Sequence, residues 1–111
     1  MLRRSHTAVL EKNEVFSENF ATEPYECGWA SEAIWFVRVL EAGPGTSLNA
    51  QAQVSPDGLF WCDKEDPTLT ISGTGLAHLP LRNFGAWLRL RGELGGENPS
   101  AKVLIYLSLK E

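Results

Sequence analysis

Apolar and polar side chains alternate along much of this chain, and this period of two constrains its fold more than any other feature. The clearest example is the segment 47–54, in which every second residue is apolar: Leu48, Ala50, Ala52 and Val54. Successive side chains of a β-strand point to opposite faces, so one face of this strand lies on a core and the other meets water or a partner. The segment is therefore predicted to be a half-buried β-strand.

Turn residues follow this strand directly. In Ser55–Gly58 (Ser-Pro-Asp-Gly), proline presets the backbone at the second position of a type I turn, while aspartate and glycine suit the next two. Residues 59–61 are then expected to resume an extended segment. The sequence therefore predicts a β-hairpin over residues 47–62.

Glycine and proline residues separate further segments with strand character. Segment 33–41 is almost continuously apolar and aromatic, so it is predicted to be a central strand covered on both faces. Segment 76–81 contains Pro80, which cannot donate to a sheet ladder, so this strand is expected at an edge. The other predicted strands cover residues 68–72, 86–91 and 102–109, with two short ones at 7–10 and 15–20.

Seven or eight short strands and no helix predict an all-β fold, a two-sheet antiparallel sandwich of jelly-roll type. The 111 residues fit one domain. Residues 1–13 are mostly polar and are expected to form an N-terminal arm, followed by a single β-sandwich domain over residues 14–111. The arm is expected either to fray or to add a strand to the sheet of a neighbouring subunit.

Charge and hydropathy argue against several classes of partner. Ten Lys and Arg residues against 14 Asp and Glu give a net charge of −4, so we expect no nucleic-acid binding, which needs a basic surface. The chain has no apolar run long enough to span a membrane. Because no apolar run follows Arg3 and Arg4, no signal peptide is predicted. The expected location is the cytoplasm, or a particle assembled there.

Candidate catalytic and metal-binding groups are few. His6 and His78 are the only histidines, and Cys27 and Cys62 the only cysteines, so no zinc site of conventional spacing can form. The thiols are expected to be reduced and mostly buried, with a disulfide as the alternative. The one nucleophilic arrangement left would place His78 beside a thiol. We predict no enzyme, no catalytic residue, no metal and no cofactor.

The densest acidic group consists of Asp57, Asp63, Glu65 and Asp66. Carboxylates of this kind can supply part of a calcium site. Their spacing does not match the calcium loop of a helix–loop–helix protein. A solvated loop between strands is therefore the main expectation, and a cation site is the alternative.

The polar faces of segments 47–54 and 86–91 form one surface if the two strands share a sheet. Its members, called the Trp/Arg face below, are Gln51, Gln53, Trp87, Arg89 and Arg91. Trp and Arg are enriched in interface hot spots, and amides add hydrogen bonds without charge. We interpret this face as a contact with a second copy or another partner. A glycan site and a plain solvated face are the alternatives.

From Ser47 onward, the sequence resembles discoidin-like, galactose-binding-like jelly-roll modules. The resemblance is carried by three segments: Ser-Pro-Asp-Gly-Leu-Phe-Trp at 55–61, Trp-Leu-Arg-Leu-Arg at 87–91 and the aliphatic strand at 103–109. It implies a jelly-roll fold and a carbohydrate-binding function. The chain lacks the pair of cysteines that modules of that family have near their two ends. No binding residue carries over, because the ligand sites of the family lie in variable loops.

The sequence is also similar to small all-β proteins of phages and other self-assembling particles. The shared features are the Ser-Pro-Asp-Gly hairpin at 55–58 and the extended N-terminal arm. This likeness implies a structural role. The sequence therefore predicts a non-catalytic structural or interaction module that self-associates, and a carbohydrate-binding module of discoidin-like type is the alternative.

Overall fold

The structure, a computed structural model, describes residues 3–64 and 68–111. Within these ranges the chain forms ten β-strands and no helix, so it has no helix that could cross a membrane. The first five strands are β1 (Ser5–Phe16), β2 (Phe20–Ala21), β3 (Tyr25–Glu26), β4 (Glu32–Ala42) and β5 (Ser47–Ser55). The others are β6 (Cys62–Asp63), β7 (Leu69–Ser72), β8 (Gly75–Leu81), β9 (Trp87–Gly95) and β10 (Ala101–Lys110).

The strands form two antiparallel sheets that pack face to face, which confirms the predicted all-β sandwich of jelly-roll type. Sheet A contains four strands in the order β1-β10-β4-β8. Sheet B is built around the neighbours β5 and β9, with β2 and β3 paired to β9 and with β6 and β7 paired to β5. Strand β8, which contains Pro80, lies at an edge of sheet A as predicted.

The alternating side chains place the core between the sheets. Leu88 and Leu90 of β9 are fully buried, and the neighbouring polar residues point outward. Most of the alternate residues of β5 and β10 that were predicted to face inward are also buried: Leu48, Ala50, Ala52, Val103, Ile105, Leu107 and Leu109. Near the end of β5 the pattern changes, because Val54 is only partly buried and Gln53, predicted to face outward, is buried. The prediction from periodicity is therefore confirmed in β9, in β10 and in β5 up to Ala52.

Strand β4 differs from its prediction, because only one of its faces is covered by described residues. Trp35 and Val37 are fully buried in the core. Ile34, Phe36 and Leu40 lie on the opposite face and are only partly buried. The continuous apolar sequence of β4 therefore combines a core row with an outer row.

The hairpin predicted at 47–62 forms between β5 and β6, but its loop is longer than expected. Residues 56–60 form bends, and pairing with β5 begins only at Cys62. The prediction that residues 59–61 resume an extended strand is therefore wrong.

Local hydrogen bonds explain this longer loop. The hydroxyl oxygen of Ser55 accepts hydrogen bonds from the backbone N–H groups of Asp57 and Gly58 at 3.2 and 2.8 Å. One carboxylate oxygen of Asp57 accepts from the N–H groups of Leu59 and Phe60 at 2.9 and 3.1 Å. These side chains accept hydrogen bonds from backbone N–H groups that would otherwise pair with a neighbouring strand, so the chain turns instead of extending.

The N-terminal region is more ordered than its polar composition indicates. Residues 5–13, which the sequence assigns to an arm, lie within β1 and pair with β10. Two register shifts interrupt this pairing, and Asn13 at the second of them has a φ of 57°. An edge strand with one face in water is rich in polar residues, as a frayed arm also is. The expected boundary at residue 13 therefore falls inside a strand of sheet A.

Candidate functional site

The five residues of the Trp/Arg face lie together on the outer side of sheet B, because β5 and β9 are adjacent. Gln53 is buried there, and the other four are partly exposed. The strand register places Gln51 opposite Arg91 and Gln53 opposite Arg89. Trp87 lies at the start of β9, two residues before Arg89 and on the same side of the strand. The sequence therefore predicted the composition of this face, and the structure supplies its geometry.

Arg89 is held in place by two contacts. Its Nε donates a hydrogen bond to Gln53 Oε1 at 2.6 Å. Its guanidinium carbon lies 4.5 Å from the centre of the Trp61 ring, a cation–π contact worth about 0.5–1 kcal/mol at an exposed site. The Gln53 amide in turn donates to Asp63 Oδ1 at 2.9 Å. The network links side chains from β5, from β6 with its loop, and from β9.

Arg91 lies between two carboxylates on the same face. One of its terminal nitrogens is 3.3 Å from Glu93 Oε1 and 3.8 Å from Asp63 Oδ2. Exposed ion pairs of this kind contribute about 0–1 kcal/mol to stability. These contacts therefore orient the guanidinium without being required for the fold.

The other two members of the face are fixed by the backbone around them. The amide nitrogen of Gln51 donates to the carbonyl of Lys64 at 2.7 Å. The ring of Trp87 packs against Gly58, where an added Cβ would lie 3.2 Å from the indole. Gly58 also has a φ of 80°, which favours glycine. The β5–β6 loop therefore covers part of Trp87.

Sequence analysis missed two residues of this network, Trp61 and Asp63. Asp63 lies opposite Gln53 in the β5–β6 pairing. Its place follows from the hairpin register, which depends on the length of the loop. That loop is longer than the turn residues at 55–58 indicated, so the register was not available from the sequence.

A second surface, which sequence analysis did not single out, lies on the outer side of sheet A. Strand alternation places seven large apolar or aromatic residues there, and we call this surface the apolar face: Val9, Ile34, Phe36, Leu40, Leu76, Leu104 and Tyr106. Val9 is 51% exposed and Leu76 is 67% exposed. Two features of the sequence could have indicated this face. Residues 33–41 lack polar alternation, and Leu104 and Tyr106 fall on the outer side of the last strand.

The two cysteines are free, so the disulfide alternative is wrong. Cys27 is buried, as expected, whereas Cys62 in the short edge strand β6 is exposed. Burial, and to a lesser extent the charge of Glu26, raises the pKa of the Cys27 thiol to about 12. Because thiolates are the nucleophilic form, Cys27 is chemically inert at neutral pH.

His78 and the acidic group form no catalytic or metal-binding arrangement among the residues that the structure describes. His78 belongs to sheet A, where its ring lies 6.3 Å from that of Phe36, whereas Cys62 belongs to sheet B. Asp57 caps the backbone of its own loop, and Asp63 contacts Gln53 and Arg91. Residues 65 and 66, the other members of the predicted acidic group, lie outside the described ranges. No cluster of three metal-ligating side chains occurs within those ranges.

Comparison with known proteins identifies the fold of the chain. No protein-family model matches the sequence, and no curated protein is significantly similar to it. The solved structure of the SPBc2 prophage-derived protein YomS is similar with a TM-score of 0.62 and 9% identity, over 100% of this chain and 96% of YomS. The PBSX exported protein XepA is similar with a TM-score of 0.62 and 11% identity, over 97% of this chain but only 36% of XepA.

A carbohydrate-binding module, CBM28, has a TM-score of 0.50 and 10% identity, over 89% of this chain and 76% of that module. At such identities these similarities show the fold alone. They place the chain in a class of β-sandwich that occurs both in phage-derived proteins and in carbohydrate-binding modules. Both resemblances drawn from the sequence are therefore confirmed at the level of the fold.

Proposed function

We propose that this chain is a non-catalytic structural module that associates with further copies of itself through the Trp/Arg face. The observation that carries this proposal is the meeting of two tryptophans and two arginines on one outer surface: Trp61, Trp87, Arg89 and Arg91. Trp and Arg dominate the binding energy of protein interfaces. The contacts of Arg89 with Gln53 and Trp61 hold its side chain in place, which reduces the entropy lost on association.

The similar structures support this role. YomS is a prophage-derived protein that this chain matches over nearly its whole length. A structure of infectious bursal disease virus contains the same fold, with a TM-score of 0.62 and 11% identity over 97% of this chain and 32% of the viral chain. A role as a component of a phage or another assembled particle is consistent with both.

The proposal is tested by the double variant Trp87→Ala with Arg89→Ala. Removing two hot-spot side chains is expected to raise the dissociation constant of self-association at least about tenfold. Size-exclusion chromatography with light scattering over a concentration series measures this shift. Arg82→Ala is the matched control, because Arg82 pairs with Glu32 away from this face. A double variant with the same mass distribution as the wild type would contradict the proposed interface.

Glycan binding at the same face is the second candidate function. It is favoured by the grouping of the partly exposed Trp61 and Trp87 indoles with the guanidinium groups of Arg89 and Arg91, because sugar rings stack on indole and hydrogen-bond to guanidinium. CBM28, which shares the fold, is specific for non-crystalline cellulose. A glycan array together with thermal unfolding in the presence of cello-oligosaccharides tests this function. No array signal and an unchanged melting temperature would reject it.

A further inference from the structure

The apolar face of sheet A has a centre without Asp, Glu, Lys or Arg, and charged residues lie towards both ends. The strand register aligns Val9, Tyr106, Phe36 and His78 in one row across the four strands. The adjacent row consists of Thr7, Ser108, Ile34 and Pro80. On the other side of the first row, Lys12 and Arg38 share a row with Leu104 and Leu76, and Lys102 lies beyond it. Glu32 and Lys110 lie at the opposite end of the sheet. An apolar centre with charge at its margin is the usual composition of a protein interface.

The size of this face suits a contact with a second copy of the chain. At about 3.3 Å per residue, the ten residues of β10 span about 33 Å, and four strands at about 4.8 Å spacing span about 19 Å. The whole outer side of sheet A, including its charged residues, therefore covers roughly 600 Å² on each copy and roughly 1,200 Å² in total, the lower limit of stable protein–protein interfaces.

We infer that the apolar face packs against the apolar face of a second copy, centred on Phe36 and Tyr106. This inference rests on the proposed self-association and adds a second contact to it. A face that pairs with itself does so about a two-fold axis. Because the apolar face and the Trp/Arg face lie on opposite sides of the sandwich, alternating contacts through them give an open stack of copies. Association through only one of the two faces would give a dimer and nothing larger.

Charged substitutions on the apolar face test the inference. Phe36→Glu places a carboxylate at its centre, and Leu76→Glu places one at a position that is already 67% exposed, where the fold tolerates charge. Both variants are expected to stop at dimers held by the Trp/Arg face. Combining either with Trp87→Ala and Arg89→Ala is expected to give monomers. Phe36→Leu, which keeps the surface apolar, is expected to retain the larger species. Sedimentation velocity gives the masses, and circular dichroism checks that each variant is folded.

The outcomes separate this inference from the proposed function. If folded Phe36→Glu and Leu76→Glu retain the wild-type mass distribution while the Trp87/Arg89 double variant loses it, the apolar contact is rejected and the proposed function stands. If the charged variants lose the larger species and the double variant does not, the apolar contact stands and the Trp/Arg face is rejected as an interface. A wild-type chain that is monomeric at every concentration overturns both.

Discussion

At the scale of single residues, the environment of each side chain decides its chemistry more than its type does. Cys27 and Cys62 are both free, but one lies in the core and the other in an exposed edge strand. Asp57 is exposed, yet hydrogen bonds from the N–H groups of Leu59 and Phe60 lower its pKa. Burial was predicted for both thiols, which is right for Cys27 and wrong for Cys62. The contacts of Asp57 could not be predicted, because they depend on the loop conformation.

The thiols are expected to react with a disulfide reagent such as DTNB at very different rates. Cys62 should react rapidly in the folded chain, because it is exposed. Cys27 should react only after unfolding in denaturant, because it is buried and burial raises its pKa. Cys62→Ser should therefore abolish the fast phase, and Cys27→Ser should leave it intact. Two fast thiols in the folded wild type would contradict the structure.

The Asp57 carboxylate is expected to protect the β5–β6 loop from proteolysis. Leu59 and Phe60 are 76% and 77% exposed, and their backbone N–H groups are bound to Asp57. Asp57→Ala should therefore increase chymotrypsin cleavage at these residues several-fold. Because the folded-state pKa of Asp57 is lowered, the protection is present at neutral pH and is lost as the pH falls through that lowered pKa.

Asp57→Asn is the control for this prediction, since its side-chain carbonyl can still accept both hydrogen bonds. Mass spectrometry of the fragments locates the cleavage. Equal cleavage rates for the wild type and Asp57→Ala at neutral pH would show that these hydrogen bonds do not order the loop.

At the scale of strands, periodicity determined what could be predicted. The inward and outward sides of β9, of β10 and of β5 up to Ala52 follow from alternation alone. The grouping of the Trp/Arg face follows in the same way, but the burial of Gln53 does not. The outer side of β4 could not be predicted in this way, because its apolar residues look the same whether they meet a core or water. Strand β1 was predicted only in part, as separate short strands at 7–10 and 15–20, for a related reason. Its partner β10 lies almost a hundred residues away, and polar edge strands resemble frayed ends.

Gly92 of β9 is expected to be required for the docking of the short strand β2. A Cβ at this position would lie 2.5 Å from the Phe20 ring, which stacks on Phe16 at 3.9 Å. Gly92→Ala should therefore destabilise the fold by about 1–3 kcal/mol in urea unfolding, as overpacking usually does. Gly75→Ala is the matched control, because its Cβ would meet only Ile71, at an ordinary 3.4 Å.

A double-mutant cycle identifies the cause of this loss. When Phe20→Ala removes the ring, adding Gly92→Ala should cost much less than it does in the wild type. Equal costs in both backgrounds would mean that the Phe20 ring is not what the new methyl group meets.

At the scale of the whole molecule, one sandwich presents two outer faces of different chemistry. Sheet B carries tryptophan, arginine and amides, whereas sheet A carries aliphatic and aromatic side chains around Phe36 and Tyr106. The same fold occurs in proteins of unrelated roles, so the function depends on these surfaces. The Trp/Arg face could be predicted from the sequence, because its two strands alternate clearly between apolar and polar residues. To predict the apolar face, the pairing of four strands would have to be known, and two of them, β1 and β10, come from opposite ends of the sequence.

The mass distribution of the wild-type chain over a concentration series, measured by sedimentation velocity, tests the central claim most directly. Contacts through both faces predict species larger than a dimer whose share grows from low to high micromolar concentration. A single species of 12.3 kDa at every concentration would contradict the account.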